Sequence, residues 1–274
     1  MYESAGAIAE VPYRDGSGRT GYIHSFEGAV NCRQTVLPDI PVVTETAPVD
    51  GRDRVYRDFL AGLRLEPLHR KDLHRRGLSD ERIAERGYRS VPGTETSWAA
   101  IQRLLDLGHR LDGIPGFYLV QGRRRNYWTY LRPTGYFIPV HDAQGRIQAM
   151  QIRRDDASDG GGKYFMFSSG SRGGANAHTP AHVARPAVLN DRRIWITEGA
   201  LKADIASDRL SAFVVGAIGV DGWPQVIPVL QELGARSVVL AFDADEAGRK
   251  VSWKAKITLE SQGYAVAEAS WEGA

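Results

Sequence analysis

Arg193-Ile194-Trp195-Ile196-Thr197-Glu198-Gly199 and Ser237-Val238-Val239-Leu240-Ala241-Phe242-Asp243-Ala244-Asp245 are the two stretches whose reading decides the fold. Each is an apolar run too short for a helix, rich in β-branched or aromatic residues, and followed by helix-forming sequence. That is the pattern of a buried parallel strand in an α/β unit. Ligands of such sheets collect at the carboxyl ends of the strands, which is where Glu198, Asp243 and Asp245 fall. Residues two apart on a strand point to the same side, roughly 6.6 Å apart along the chain. Three carboxylates converging on one sheet edge repel each other unless a cation sits among them. Hard oxygen ligands suit Mg²⁺, which keeps several waters and binds substrate phosphates. Either stretch alone also reads as a turn or helix cap; together, and followed by Glu246-Ala247-Gly248-Arg249-Lys250, they form a far more specific pattern.

This pattern resembles the TOPRIM domain shared by bacterial DnaG-type primases and topoisomerases. The family's strand-Glu-Gly matches Ile196-Thr197-Glu198-Gly199, and its strand-Asp-x-Asp-x-Ala-Gly-Arg matches Phe242 to Arg249. The resemblance implies a site for Mg²⁺ or Mn²⁺ acting on phosphodiester chemistry. In it Asp243 and Asp245 are metal ligands, and Glu198 is a general acid/base or a third ligand. Two upstream segments extend the likeness to primase catalytic cores. Arg76-Gly77-Leu78-Ser79-Asp80-Glu81-Arg82-Ile83 resembles the start of such a core, and Phe137-Ile138-Pro139-Val140-His141-Asp142-Ala143-Gln144-Gly145-Arg146-Ile147 resembles a later strand-turn-strand. Basic residues that contact nucleotide or template phosphates in that family align with Arg153 and with Lys163-Tyr164. The family's Asn-Ser-Pro after the Lys-Tyr is replaced here by Phe165-Met166-Phe167-Ser168-Ser169-Gly170.

Composition places few limits on this reading. The 274 residues, 42% hydrophobic and 25% charged, are those of an ordinary globular chain with material for one or two domains. A net charge of +2 gives little whole-molecule steering towards nucleic acid, so attraction must come from local patches. The single cysteine, Cys32, leaves no disulfide within the chain and no zinc site of two or more cysteines. No stretch reaches the roughly 20 apolar residues that span a bilayer. The first residues lack the basic start and apolar core of a signal peptide. A cytoplasmic protein with no membrane partner is expected.

Three regions are expected along the chain. Residues 1–49 read as a small β-like segment, with a turn at Arg14-Asp15-Gly16-Ser17-Gly18 and a strand near Gly21–Phe26, followed by an extended linker. Residues 50–190 read as a helical and antiparallel-β subdomain. Val55, Phe59, Leu60 and Leu63 recur at helical spacing, Ser79 is placed to cap a further helix, and Trp98, Ile101, Leu104 and Leu105 make a stripe on another helix capped by Thr94 or Thr96. The period then changes to two, and residues 116–152 predict an antiparallel meander. Arg123-Arg124-Arg125 beside Tyr127-Trp128 mixes guanidinium groups with rings, suited to phosphates and unstacked bases or equally to a solvated turn. His178 and His182 lie four apart, but Pro180 between them argues against a helical metal pair. Residues 191–274 read as the TOPRIM-like parallel α/β sheet.

The resemblance implies a primase-like nucleotidyltransferase that makes RNA primers on single-stranded DNA from nucleoside triphosphates, in the replication of a mobile element. A nuclease or topoisomerase fragment and a degenerate module that only binds single-stranded DNA are the alternatives. No P-loop of the form G-x-x-x-x-G-K-[ST] is present, so unwinding requires a separate helicase. The chain also departs from the family. The primases place an Asp four residues after the motif Glu, where this sequence has Lys202, and a further acidic cluster after a later strand, where it has Ser270-Trp271-Glu272-Gly273-Ala274. Lys202 puts a positive charge near any metal or binds a substrate phosphate. Weak binding of a single ion and weak activity of this chain alone are therefore expected.

Overall fold

The computed structural model describes residues 7–14, 20–26, 40, 42–43, 45–158, 160–219 and 222–269. Cys32, Glu272 and most of the turn expected at 14–18 lie outside them. The chain divides into two compact units, one of residues 1–39 with Arg123–Arg125, the other of Ile40–Gly122 with Asn126–Ala274. In the first, β1 (Ala7–Arg14) and β2 (Thr20–Phe26) form an antiparallel hairpin.

The second unit begins with helices. α1 (Val49–Ala61) buries Val55, Tyr56, Phe59 and Leu60 on one face. α2 (Pro67–Arg75) starts on a proline, whose missing N–H would be unpaired in a first turn anyway. α3 (Asp80–Arg86) is capped by Ser79, whose Oγ accepts from the Arg82 N–H at 3.3 Å. It stops at Gly87, where φ is 79°. A short strand, β3 (Arg89–Ser90), leads to α4 (Thr94–Asp106), capped by Gly93 rather than by a threonine side chain. The buried stripe of α4 is Ser97, Ala100, Ile101 and Leu104, and Trp98 is exposed. Ser97 takes a buried position with its Oγ donating to the Gly93 carbonyl at 2.8 Å, and the stripe keeps Ile101 and Leu104 of the expected set while Ser97 and Ala100 take the places expected for Trp98 and Leu105.

The antiparallel region is split. β4 (Phe117–Gln121) and β5 (Asn126–Tyr130) pair only with each other, whereas β6 (Gly135–His141), β7 (Ile147–Arg154) and β8 (Tyr164–Met166) join β3 in a four-stranded antiparallel sheet of order β3-β6-β7-β8. The expected single meander breaks at Leu131–Thr134, where Pro133 has no N–H to continue a ladder. Phe59 fills the space between the layers, edge-on to Phe117, Tyr130 and Phe137 with ring centroids 5.2–5.6 Å away.

The C-terminal sheet contains β9 (His182–Ala184), β10 (Asp191–Glu198), β11 (Ala212–Ala217), β12 (Ser237–Leu240) and β13 (Ala265–Glu268), in the order β13-β12-β10-β11-β9. All neighbours are parallel except β9, an antiparallel edge on β11. α5 (Ala200–Leu210), α6 (Val226–Glu232) and α7 (Glu246–Ser261) make the crossovers. The helices-then-antiparallel-strands half and the largely parallel C-terminal sheet are those expected from the sequence; β9 is an addition.

One buried ionic network joins α5 to the helical half. Asp204 accepts from His182 Nε2 at 3.1 Å, from Arg86 Nε at 3.0 Å and from the Tyr88 hydroxyl. The backbone N–H of His141 donates to His182 Nδ1 at 3.0 Å, and the Nε2 of that ring faces Asp204. Burial alone would raise the Asp204 pKa, but His182 and Arg86 with the hydrogen bonds from His182 and Tyr88 bring it down to about 2. Burial, and then His182, push His141 down to about 4.

Two expectations follow from this network. Asp204→Ala strands Arg86 and His182 in the interior and should cost about 3–5 kcal/mol in denaturant unfolding at neutral pH; a loss below ~1 kcal/mol would show that the network does not hold the halves together. The pH dependence has two windows. Below the ordinary histidine value of 6.5, the unfolded chain takes a proton at position 141 that the folded chain refuses, so stability falls as the pH drops from 6.5 to about 4. Asp204 adds a second loss from 3.8 towards about 2, where the folded carboxylate is still ionised and the unfolded one is protonated. Thermal melts across these windows check both, and His141→Asn should flatten the first alone.

Candidate active site

The topology fixes where the motif residues meet. β10 is followed through α5 by β11 on one side, while β12 returns on its other side. The carboxyl end of β10 therefore lies at the point where the strand order reverses, the position at which open α/β sheets hold ligands. Glu198 is the last residue of β10. Gly199 follows with φ 70°, a left-handed value that turns the chain sharply into α5. The end of β12 is tied to the same place, because the Ala241 N–H donates to the Ile196 carbonyl at 2.8 Å and the Thr197 hydroxyl donates to the Ala241 carbonyl at 2.9 Å.

The Asp243-Ala244-Asp245 loop is folded tightly onto the start of α7. Asp245 is the N-cap of that helix, its Oδ1 accepting from the Gly248 N–H at 2.7 Å. A Cβ on Gly248 would lie 2.1 Å from the Asp243 carbonyl oxygen, so a glycine is required for the loop to close. This contact gives the Asp-x-Asp-x-Ala-Gly spacing a geometric meaning.

The structure brings Glu198 and Asp243 together. The Asp243 N–H donates to Glu198 Oε1 at 3.3 Å. Lys202, on the first turn of α5, lies between the two carboxylates. Its Nζ is 2.6 and 2.5 Å from the two Asp243 oxygens and 3.9 Å from Glu198 Oε2. Glu198, Lys202 and Asp245 line a cavity of about 550 Å³ whose walls are largely apolar, with Trp223, Phe242 and Ile218 among them. Asp243 lines an adjoining cavity of about 410 Å³ together with Arg249.

As donors, the Glu198 and Asp243 carboxylates are the hard oxygens that Mg²⁺ or Mn²⁺ takes, and both are partly open to water. They fit one such ion completed by waters and substrate phosphates. A third protein ligand is not drawn in beside them. Asp245 spends an oxygen on its helix cap, and among the described residues no three His, Cys, Asp or Glu side chains are grouped to hold a metal. Asp204, the acidic residue nearest in sequence on α5, is fully committed to the buried network.

The basic residues read from the sequence are dispersed. Arg153 on β7 is buried, with Nη1 3.3 Å from Asp72 Oδ2, its guanidinium 5.5 Å from the centre of the Tyr136 ring, and its Nε without a partner. Lys163 is exposed just before β8, and Tyr164 lines the larger cavity. Arg123, Arg124 and Arg125 form the exposed turn between β4 and β5. Lys256 pairs with Glu268 at 3.0 Å. His182 is buried against Asp204 instead of pairing with His178.

Asp72 is a residue that the motif reading missed. It accepts from Arg76 Nε at 2.9 Å, from Arg75 Nη2 at 2.7 Å and from the Tyr136 hydroxyl at 3.1 Å. Burial would raise its pKa, but the Arg75 and Arg76 hydrogen bonds and the charges of Arg153 and Arg76 bring it down to about 2. The available signal was the i, i+4 spacing of Asp72 and Arg76 on one helix.

Comparison with known proteins bears on the fold. No family model matches the sequence, and no curated protein matches it. Solved structures do. The zinc-binding and RNA polymerase domains of Aquifex aeolicus primase superpose with a TM-score of 0.59 at 17% identity, over 83% of this chain and 57% of that one. The chain thus spans little more than half of that structure. The RNA polymerase domain of Mycobacterium tuberculosis DnaG, in complex with a double-stranded DNA oligomer with a 6-nucleotide overhang, superposes at 0.56 and 16% identity, over 82% of this chain and 74% of that one. A DnaG primase catalytic domain bound to single-stranded DNA superposes at 0.52 and 18% identity, over 82% and 72%. The chain has the fold of the DnaG-type primase catalytic domain.

Proposed function

We propose that this chain is a primase-like nucleotidyltransferase that joins nucleotides into an RNA primer on single-stranded DNA, in the replication of a mobile element. The observation that carries the proposal is the meeting of Glu198 and Asp243 at the strand-order reversal, within a fold shared with primase catalytic domains. The reaction is attack of a 3′-hydroxyl on the α-phosphate of a nucleoside triphosphate, with pyrophosphate leaving. A bound Mg²⁺ or Mn²⁺ would supply activation of the attacking hydroxyl and neutralisation of the charge on the pyrophosphate.

The protein's own contribution is placement. Glu198 and Asp243 hold the ion, and Asp245 fixes the loop that carries Asp243 by capping α7. The larger cavity, lined by Glu198, Lys202 and Asp245 as well as by Tyr164, Trp223 and Phe242, takes the nucleotide. Trp223 and Phe242 offer apolar walls against its base, and Lys202 supplies an ammonium for a phosphate. Lys163 and the Arg123–Arg125 turn, with the exposed Tyr127 beside it, contact the template. Residues 50–190 and 191–274 act as the two parts of the catalytic core. Unwinding is left to a separate helicase. Among the described residues no helix is long and apolar enough to cross a membrane.

The second reading, a module that binds single-stranded DNA without catalysis, is favoured by the Lys202–Asp243 ion pair, which occupies a carboxylate that the metal needs. Primer synthesis on single-stranded template with ribonucleotides and Mn²⁺ separates the two.

Glu198→Gln or Asp243→Asn should lower that activity on the order of 100-fold. Both side chains are partly exposed, so unfolding free energy should move by less than ~1 kcal/mol. Asp245→Asn keeps a good N-cap while losing the charge, so a fall in activity with unchanged stability would assign Asp245 a role beyond capping. Full activity in all three variants would remove the site from these residues.

Replacing Arg123, Arg124 and Arg125 together by Ala should weaken single-strand binding and flatten its salt dependence, by about 0.7 in slope for each lost phosphate contact. Fluorescence anisotropy across a salt series measures this, and an unchanged slope returns the turn to ordinary surface.

A further inference from the structure

We infer that Lys202 is a built-in counter-cation of the acidic site: it holds Asp243 when no metal is present and limits the site to one weakly held divalent ion. The inference rests on the proposed reading of Glu198 and Asp243 as the metal-holding pair. Its basis is geometric. Lys202 lies four residues after Glu198, one turn into α5, so its side chain reaches back over the end of β10. There its Nζ contacts both oxygens of Asp243 at 2.6 and 2.5 Å and approaches Glu198 Oε2 at 3.9 Å. An ammonium in that position replaces the cation that two neighbouring carboxylates otherwise require.

Charge balance supports the limit of one ion. Glu198, Asp243 and Asp245 with Lys202 leave two negative charges, those that one divalent cation neutralises. Arg249, whose guanidinium donates to the neutral Ala244 carbonyl and lines the cavity of Asp243, keeps its charge there and further disfavours a second cation, whereas Lys256 is paired with Glu268. The anchoring of α5 through Asp204 keeps Lys202 on the site face, because residues two apart on a helix differ by about 200° around its axis. Lys202 also lines the larger cavity. A phosphate oxygen bound there offers the ammonium an alternative partner and releases Asp243 to the metal.

The test is direct titration of the full chain with Mn²⁺ alone, at low ionic strength, followed by electron paramagnetic resonance. The variants are Lys202→Met, which keeps the apolar stem, Lys202→Gln as a second neutral form, and Glu198→Gln. The expected result is one weak Mn²⁺ site in the native sequence. It should tighten about tenfold when the ammonium is removed, the size expected for a unit charge about 5 Å from a divalent ion in water. Glu198→Gln should abolish it.

A second readout needs no metal. In chelator, Lys202→Met should lower Tm, and combining it with Asp243→Asn should lower Tm no further, since the two residues then act as one pair. Equal Mn²⁺ affinity with and without Lys202, together with loss of binding in Glu198→Gln, would overturn the inference and leave the site reading intact. Mn²⁺ binding that is absent from every form, or indifferent to Glu198→Gln, would overturn the site reading and the inference with it. Tight binding of two ions by the native sequence would overturn the inference alone.

Discussion

The buried carboxylate of Asp204 is the constraint on which the rest of this structure depends. It sits on α5, receives Arg86 and Tyr88 from the helical half, and receives His182 from the edge strand β9. Removing two charges from water is expensive, and a buried pair repays it only when the geometry is good and the remaining groups are hydrogen-bonded. Here the His141 N–H satisfies the far side of the His182 ring and Asp208 takes Arg86 Nη2 at 2.8 Å, while Arg86 Nη1 and Asp208 Oδ2 are buried without a partner among the described residues. Such a network tolerates few alternative arrangements. It fixes the rotation of α5 about its own axis, and so decides which residues of that helix face the carboxyl end of the sheet.

The consequence reaches the active-site face. Asp204 and Lys202 are two positions apart, on nearly opposite sides of one helix. Burying the first presents the second to Glu198 and Asp243. On the other side of β10, the Asp243–Asp245 loop is held by a different device, a helix cap and a glycine that lets the backbone close to within contact of α7. One wall of the site is thus positioned by a buried ionic network and the other by backbone hydrogen bonding. The side chains between them are left partly solvated, where a cation, a phosphate or water can exchange.

The basic residues follow a similar division. Arg153 is a buried strut, packed on Tyr136 and paired with Asp72, which in turn gathers Arg75 and Arg76. Lys163 and the Arg123–Arg125 turn are exposed. Arginines of the first kind set the shape of a surface, and exposed cations of the second kind are those whose contacts with a phosphate depend on salt.

The sequence by itself determined the C-terminal sheet, the helices before it and the place of the motif carboxylates. These depend on local signals: apolar runs of strand length, helical spacing, a Ser79 cap, and acidic residues directly after strands. It also pointed to Lys202 as the residue out of pattern. Tertiary structure alone decided the rest. The split of the antiparallel region, the edge strand at His182–Ala184 and the burial of Ser97 and Ala100 rather than Trp98 and Leu105 on α4 depend on which partner each segment finds across the fold. The same holds for the site. That Asp243 pairs with Lys202, that Asp204 is buried against Arg86, Tyr88 and His182, and that Asp72 meets Arg153 and Tyr136 are facts of distance between residues far apart in the chain. An ionisable side chain carries no mark in the sequence of whether it will face water or another charge, because that is settled by what the rest of the fold packs against it.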